Sequence, residues 1–132
     1  MMKLSLSWVV GFGAECQGGR TNDPSWSNVE SHLREVCEVS GSVTLEAANL
    51  SGFELLSLQV VADHGMFAMT LGEDDGEDYT VRSYLGSGDA GKAVDVLGDA
   101  VDASAVCTDF ETVVDIFRGF FEKGCVPRNL MA

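Results

Sequence analysis

Hydrophobic and polar residues alternate along much of the first half of the chain. Residues 3–10 alternate in this way, and so do residues 43–47, 56–60 and 67–71. A period of two is typical of β-strands with one buried face. Residues 62–65, Ala-Asp-His-Gly, separate the last two segments and predict a tight hairpin turn.

Two more turn segments continue this pattern. Residues 73–78 are almost entirely acidic and predict a turn before a strand at 79–83. Residues 86–91 contain three glycines and predict a turn before a strand at 94–96. Together with the first strand, these segments predict an antiparallel meander of five to six strands. Residues 11–22 contain four glycines and no periodicity, so we expect a loop there.

A helical period follows residue 22. Apolar residues recur at helical spacing at Trp26, Val29, Leu33 and Val36. We expect Asp23 to cap this helix, Pro24 to occupy its first position, and Ser40 with Gly41 to end it. His32 falls on a different face from the apolar residues, so we expect its side chain to be solvated.

A second helix is predicted near the end of the sequence. Thr108 and Glu111 have the spacing of a capping box, in which each side chain accepts a hydrogen bond from a free backbone N–H. Gly124 predicts the end of the helix, and Pro127 follows it. The helix carries one wide apolar stripe, which we expect to cover the inner face of the sheet: Phe110, Val113, Val114, Phe117, Phe120 and Phe121.

The composition fits one globular domain over residues 1–132. Hydrophobic residues make up 45% of the 132 residues, and no linker or low-complexity segment interrupts them. The predicted fold class is α+β, with two helices packed on the antiparallel meander.

Negative charge is concentrated in one part of the chain. Residues 73–115 hold twelve acidic residues and two basic ones, whereas the whole chain has a net charge of −13. Such a surface repels phosphate backbones, so direct nucleic-acid binding is disfavoured. It attracts basic proteins and accelerates their encounter. The charge therefore predicts a cationic protein partner.

The candidate partner-binding residues follow from this region. The acidic candidates are Glu73, Asp74, Asp75, Glu77, Asp78, Asp89, Asp95, Asp99 and Asp102. Exposed carboxylates mainly change association rates, and affinity usually needs an aromatic or arginine anchor. The candidate anchors are Tyr79, Arg82 and Tyr84, which are adjacent to the acidic residues. Strand alternation places Arg82 and Tyr84 on one face, opposite Tyr79 and Val81.

Other chemistry is disfavoured. The acidic residues 73–78 admit three interpretations: a calcium site, a solvated turn or a partner-facing loop. They lack the spacing of an EF-hand calcium loop, so we expect no metal there. The four cysteines contain no C-x-x-C pair, and we expect reduced thiols and no zinc. Gly11-Phe12-Gly13 is not followed by the third glycine or helix of a dinucleotide site. We therefore predict a protein without a cofactor and without catalysis; an enzyme using Cys16 or His64 is the less favoured alternative.

The sequence predicts neither secretion nor membrane insertion. The N-terminal residues alternate, whereas a signal peptide needs an unbroken apolar segment of about 7–15 residues. No stretch approaches the roughly 18 apolar residues of a membrane helix. We expect a soluble, cytoplasmic protein.

Two segments resemble a known family. Residues 22–33, N-D-P-S-W-S-N-V-E-S-H-L, are similar to the N-P-[ST]-W-x-x-[VI]-E-x-x-L helix opening of small immunity proteins. These proteins belong to bacterial polymorphic-toxin and contact-dependent growth inhibition systems. Residues 110–130 resemble the aromatic terminal helix of the same proteins, with F-E-K-G followed by Pro127 and Leu130. The hairpin at 58–69 lies between the two segments, as it does in that family.

The resemblance implies a cytoplasmic, non-catalytic protein that binds and neutralises a toxin domain from a sister cell. Many such toxins are basic nucleases, so an acidic inhibitor would occupy the site where nucleic acid lies. The alternative is an acidic adaptor or structural module whose charge serves solubility.

Overall fold

The computed structural model describes residues 3–11, 16–48, 55–86, 88 and 91–131 of the chain. The strands and helices follow one another in this order: β1 (Lys3–Val10), β2 (Gln17–Asn22), α1 (Trp26–Glu38), β3 (Ser40–Ala48), β4 (Leu55–Asp63), β5 (Met66–Asp74), β6 (Tyr79–Ser83), β7 (Ala93–Val96), β8 (Asp99–Asp102), β9 (Val106–Cys107) and α2 (Phe110–Lys123).

The main sheet is antiparallel, with the strand order β2-β1-β3-β4-β5-β6. The short strand β9 pairs with β5 beyond the end of β6. Helix α1 contacts β1, β3 and β4, and α2 contacts β4, β5, β9 and α1. Both helices therefore cover one face of the sheet, and the predicted α+β meander with two packed helices is confirmed.

The core lies between the helices and the inner face of the sheet. In β3 and β4, every second residue is buried, which matches the alternation in the sequence. Phe117 and Phe120 of α2 are the largest fully buried side chains of the core. Removing one buried phenylalanine side chain typically costs about 3–5 kcal/mol, so the aromatic face of α2 is central to stability.

The β4–β5 hairpin is confirmed. Asp63 pairs with Met66 at its end, which leaves His64 and Gly65 as a two-residue turn. Their φ angles are +50° and +79°. A turn with positive φ at both positions matches the twist of antiparallel strands, and glycine adopts such an angle without a steric penalty.

Part of the predicted loop at 11–22 is instead the edge strand β2. Residues 12–15 lie outside the described residues, but Gln17–Asn22 pairs antiparallel with β1. The glycines have a packing role, because a Cβ at Gly19 would lie 2.7 Å from Trp8 Cζ2. Gly19 therefore leaves room for the indole of Trp8.

Both predicted helix caps are wrong by one or two residues. α1 is capped by Ser25, which forms a capping box with Asn28, whereas Asp23 has a φ of +51° and donates its N–H to Leu4 O. α2 is capped by Asp109, whose carboxylate accepts a hydrogen bond from the N–H of Glu111. In each case a side chain one or two residues further along the chain, with a suitable oxygen, forms the cap.

The predicted solvation of His32 is also wrong. Its ring stacks on Trp8, with 3.7 Å between ring centroids and 16° between ring planes. The side chain is about one quarter exposed, and its Nδ1 lies 3.7 Å from Glu35 Oε1. The helix face of His32 meets β1 because α1 crosses the sheet at that strand.

The segment predicted to continue the meander after residue 91 forms a separate ribbon. β7 pairs only with β8 among the described strands. The ribbon contacts β4 and β5, and Val96 is fully buried outside the main core cluster. The N–H of Leu97 donates to Asp63 Oδ2 at 2.9 Å and holds the ribbon tip near the β4–β5 turn.

Candidate functional site

The acidic turn, residues 73–78, connects β5 to β6. Asp74 Oδ1 accepts a hydrogen bond from the N–H of Gly76. Asp75 Oδ1 accepts from the N–H groups of Glu77 and Asp78. Hydrogen bonds from Asp78 and then Glu77 lower the pKa of Asp75 below its usual value. These two carboxylates therefore stabilise the turn and also contribute to its negative charge.

Glu77 and Asp78 have a different position in the acidic turn. Both residues are exposed. Within the described part of the chain, neither carboxylate accepts a hydrogen bond or forms an ion pair. They are the two members of the turn whose whole carboxylate is available to a partner.

Glu73 lies on the other side of the strand and is not a free surface charge. Its carboxylate pairs with the Arg82 guanidinium, and its side chain is only 13% exposed. Arg82 lies opposite Leu71, a core residue, so its side chain is on the helix-covered side of β6. Arg82 thus neutralises Glu73 at the edge of the core.

Tyr84 shares the face of Arg82, as alternation predicts, but that face is the inner one. Its side chain packs against the core cluster, and its backbone bridges to Met131. Burial, with a smaller effect of Cys107, raises the pKa of Tyr84 above its ordinary value. Tyr84 therefore contributes to packing rather than presenting an exposed aromatic ring.

The open face of β6 presents two exposed apolar side chains. Tyr79 is 67% exposed and Val81 is 54% exposed. Tyr79 follows the acidic turn directly and pairs with Asp74, and its ring lies over Gly72 of β5. Strand alternation predicts that Tyr79 lies opposite Arg82, but alternation alone does not show which of the two faces is open.

The other acidic candidates lie in the acidic ribbon, residues 93–102. Asp95 Oδ1 accepts from the N–H of Gly98 at 2.8 Å, and Asp99 is exposed. The Asp102 carboxylate accepts hydrogen bonds from the hydroxyl and the N–H of Ser104 and from the N–H of Gly91. These bonds lower the pKa of Asp102, and the bond from the Ser104 hydroxyl has the largest effect. Asp89 lies outside the described residues.

The structure separates the acidic turn from the acidic ribbon. The turn adjoins Asp74 at one end of β5, whereas the ribbon tip is held near Asp63, which is paired with Met66 at the other end. Eight residue steps of about 3.3 Å put these ends roughly 26 Å apart. The acidic turn and the tip of the acidic ribbon therefore lie near opposite ends of β5, so the predicted acidic surface is divided.

Asp63 is a structural carboxylate, although the sequence pattern marks it only as a turn residue. Its hydrogen bond from Leu97 joins residues 34 positions apart. That bond, followed by the hydrogen bond with His64, lowers the pKa of Asp63. No sequence motif marks such a contact, because it depends on the ribbon folding back onto β4.

Two arrangements, a metal-binding cluster and a Cys16–His64 pair, do not occur among the described residues. No group of three or more His, Cys, Asp or Glu side chains in this part of the chain is placed to hold a metal ion. Cys16 precedes β2 and His64 lies after β4, three strands away, or roughly 14 Å at about 4.8 Å per strand. A direct hydrogen bond between that thiol and that imidazole is therefore excluded.

The four thiols are free and differ in environment. Cys16 and Cys125 are exposed, whereas Cys107 is buried. Burial raises the pKa of Cys37 to about 12, with a smaller contribution from Cys107, so this thiol stays protonated at neutral pH.

Neither described helix is long and apolar enough to cross a lipid bilayer.

Comparisons with known proteins give a fold and a family. A crystal structure of a hypothetical protein from Neisseria gonorrhoeae superposes with a TM-score of 0.77 at 12% identity, covering 96% of this chain and 92% of the other. A comparison with curated protein sequences finds no significant match.

Neither the family nor the similar structure is described by an activity, so the resemblance to immunity proteins stays a prediction. The family model matches residues 7–130. The chain therefore belongs to a family of unknown function, DUF6911.

Proposed function

We propose that this protein is a non-catalytic binding protein that docks a cationic protein domain on the open face of β6. The observation that carries the proposal is the position of Tyr79, an exposed aromatic ring, next to the acidic turn. Aromatic side chains supply much of the affinity in protein interfaces, and surrounding charges supply steering and selectivity.

The resemblance to immunity proteins suggests the partner. We propose a toxin domain from a sister cell, neutralised by occlusion of its active site. A basic nuclease fits this role, because its nucleic-acid site attracts the carboxylates of Glu77 and Asp78. The gene next to this one is then expected to encode a large secreted protein with a toxic C-terminal domain.

Binding measurements with that C-terminal domain test the proposal. Reversing two charges, with Glu77→Lys and Asp78→Lys, is expected to slow association, more strongly at low salt than at high salt. Tyr79→Ala is expected to speed dissociation and to cost roughly 2 kcal/mol, or about 30-fold in Kd. Surface plasmon resonance at two salt concentrations gives both rates.

Asp99→Lys is the matched control for the charge reversal. It changes an exposed carboxylate in the acidic ribbon, at the other end of β5, and is expected to leave both rates nearly unchanged. If Asp99→Lys slows association while the turn variants do not, the partner docks at the ribbon. If Tyr79→Ala leaves dissociation unchanged, the proposed interface is wrong.

A second candidate function rests on the hydrogen bonds of the carboxylates. Asp74, Asp75, Asp95 and Asp102 each accept from a backbone N–H in a turn. These bonds favour an adaptor or structural module whose acidity maintains turns and solubility. In that case, variants in which these carboxylates are replaced by neutral amides precipitate more readily than wild type, and the affinity for any partner does not change with salt concentration.

A further inference from the structure

A cleft of about 310 Å³ lies between the C-terminal end of α2 and the β6 side of the sheet. Its volume is at the lower end of the range of about 300–1,000 Å³ typical of small-molecule sites. Part of its wall is apolar and buried, formed by Leu56, Leu71 and Met131, and Val126 adds a half-buried apolar side chain.

Positive charge is concentrated at this cleft. Arg82, Lys123 and Arg128 line it, which is three of the eight lysine and arginine residues in a chain of net charge −13. Glu73 is the one acidic residue among the lining residues, so the lining has a net charge of +2. The sign is opposite to that of the chain as a whole.

The cations keep donors available for a ligand. Arg82 uses its Nε for Glu73, which leaves its terminal guanidinium nitrogens as donors. Lys123 and Arg128 form no hydrogen bond or ion pair through their side chains with the described residues. Cations near a helix C-terminus offset the helix dipole, but Arg82 comes from the sheet, so the dipole alone does not explain the convergence.

We propose that this cleft binds a small amphipathic anion, a carboxylate or phosphate monoester attached to an apolar group. The anionic group pairs with Lys123, Arg128 and the free guanidinium nitrogens of Arg82. The apolar group packs on Val126 and on the small exposed parts of Leu56 and Leu71. This site is on the helix-covered side of β6, separate from the proposed docking face, and does not depend on that proposal.

Cys125 provides a reporter inside the cleft. Its exposed thiol belongs to the lining residues. Cys16 is the matched control, because it is also exposed but precedes β2 at the opposite edge of the sheet. Cys16→Ser and Cys125→Ser each leave one exposed thiol for kinetic measurements.

The first experiment measures the local potential. Each variant reacts with a dianionic aromatic disulfide, 5,5′-dithiobis(2-nitrobenzoate), and with the neutral reagent 4,4′-dithiodipyridine at low ionic strength. We expect the ratio of the anionic to the neutral rate to be several-fold higher at Cys125 than at Cys16. Lys123→Gln with Arg128→Gln, or added salt, is expected to lower the Cys125 ratio to that of Cys16. Equal ratios before substitution would overturn the proposal.

The second experiment measures binding by protection of the thiols from the neutral reagent. The probes are octyl phosphate, octanoate, octanol and inorganic phosphate, each below any micelle-forming concentration. We expect octyl phosphate or octanoate to slow the reaction of Cys125 several-fold more than octanol or inorganic phosphate, and to leave Cys16 unchanged. The stronger of the two anions identifies the preferred head group.

The charge variants complete the test. Protection by octyl phosphate and octanoate is expected to disappear in the Lys123→Gln, Arg128→Gln variant, while its melting temperature stays within a few degrees of the wild-type value. Protection that persists in this variant, equal protection by octanol, or no protection by any probe would overturn the proposal. None of these variants changes the acidic turn or Tyr79, so failure here leaves the docking proposal untouched.

Discussion

At the scale of single residues, carboxylates in this protein act as hydrogen-bond acceptors and as charges at once. Asp75 holds two backbone N–H groups of the acidic turn, whereas Glu77 and Asp78 hold none among the described residues. Reversing the charge of Asp75 would therefore disturb the turn as well as its potential. Substitutions at Glu77 and Asp78 separate the two effects, which is why the binding test uses them.

Asp63 is expected to make the stability of the protein depend on pH. Its pKa is lowered in the folded state by the Leu97 N–H and then by His64. The stabilisation is therefore complete above the unfolded value of about 3.9 and is lost as the pH falls through the lower folded value. Asp63→Asn is expected to be less stable than wild type at pH 7, with a difference that narrows below pH 4.

Thermal melts between pH 7 and pH 3 check this expectation. Asp99→Asn is the control, since the Asp99 carboxylate accepts no hydrogen bond from the described residues, and its melting temperature should follow that of wild type. Amide hydrogen exchange at Leu97 adds a local measurement and should accelerate in Asp63→Asn. A difference from wild type that stays constant with pH would assign the effect to something other than the charge.

Two glycines give opposite predictions for the same substitution. A Cβ at Gly19 would lie 2.7 Å from Trp8 Cζ2, and Trp8 is already stacked on His32. Gly19→Ala is therefore expected to destabilise the protein by about 1–3 kcal/mol. At Gly119, inside α2, the nearest atom would be 3.9 Å away, so Gly119→Ala is expected to stabilise by roughly 0.5–1 kcal/mol through helix propensity. Urea unfolding measures both, and equal effects would contradict the packing argument.

At the scale of secondary-structure elements, the N-terminus of α2 distinguishes two possible caps. Asp109 accepts from the N–H of Glu111 and from the hydroxyl of Thr112. Asp109→Ala is expected to cost about 1 kcal/mol, within the range of roughly 0.5–2 kcal/mol for lost caps. Thr108→Ala is expected to change stability by less than about 0.5 kcal/mol. Denaturant unfolding of the two variants shows which residue caps the helix. A larger loss of stability in Thr108→Ala than in Asp109→Ala would identify Thr108 as the cap.

The elements that the sequence predicts are those with a buried face. Strands β1, β3, β4 and β5 and both helices have a hydrophobic period, because each packs one side on the core. β2 has no such period, since its residues are mostly exposed and its place depends on backbone pairing with β1. β8 and β9 are too short for a period to show.

At the scale of the whole molecule, the candidate site depends on topology that local patterns do not encode. Alternation correctly predicts that Arg82 of β6 and Tyr84, which follows this strand, share one face. The register with β5, which places Arg82 opposite Leu71, decides that this face is buried. The separation of the acidic turn from the acidic ribbon likewise follows from strand order and from the Asp63–Leu97 hydrogen bond.

The distribution of charge leads to an expectation about salt. The chain has a net charge of −13, and self-repulsion of this kind destabilises a compact fold. The Debye length falls from about 30 Å at 0.01 M salt to about 10 Å at 0.1 M. That change screens the repulsion between the acidic turn and the tip of the acidic ribbon, which are roughly 26 Å apart along β5, and part of the repulsion within each region. Raising NaCl over this range is therefore expected to increase the melting temperature by several degrees.

A neutralised variant makes this expectation specific to the acidic turn. Glu77→Gln with Asp78→Asn removes two negative charges without removing a turn hydrogen bond among the described residues. Its melting temperature is expected to exceed that of wild type at 0.01 M salt and to rise less on adding salt. Calorimetry at both salt concentrations measures the two differences. A melting temperature that falls on adding NaCl would show that the ion pairs, such as Arg82 with Glu73, outweigh the repulsion between carboxylates.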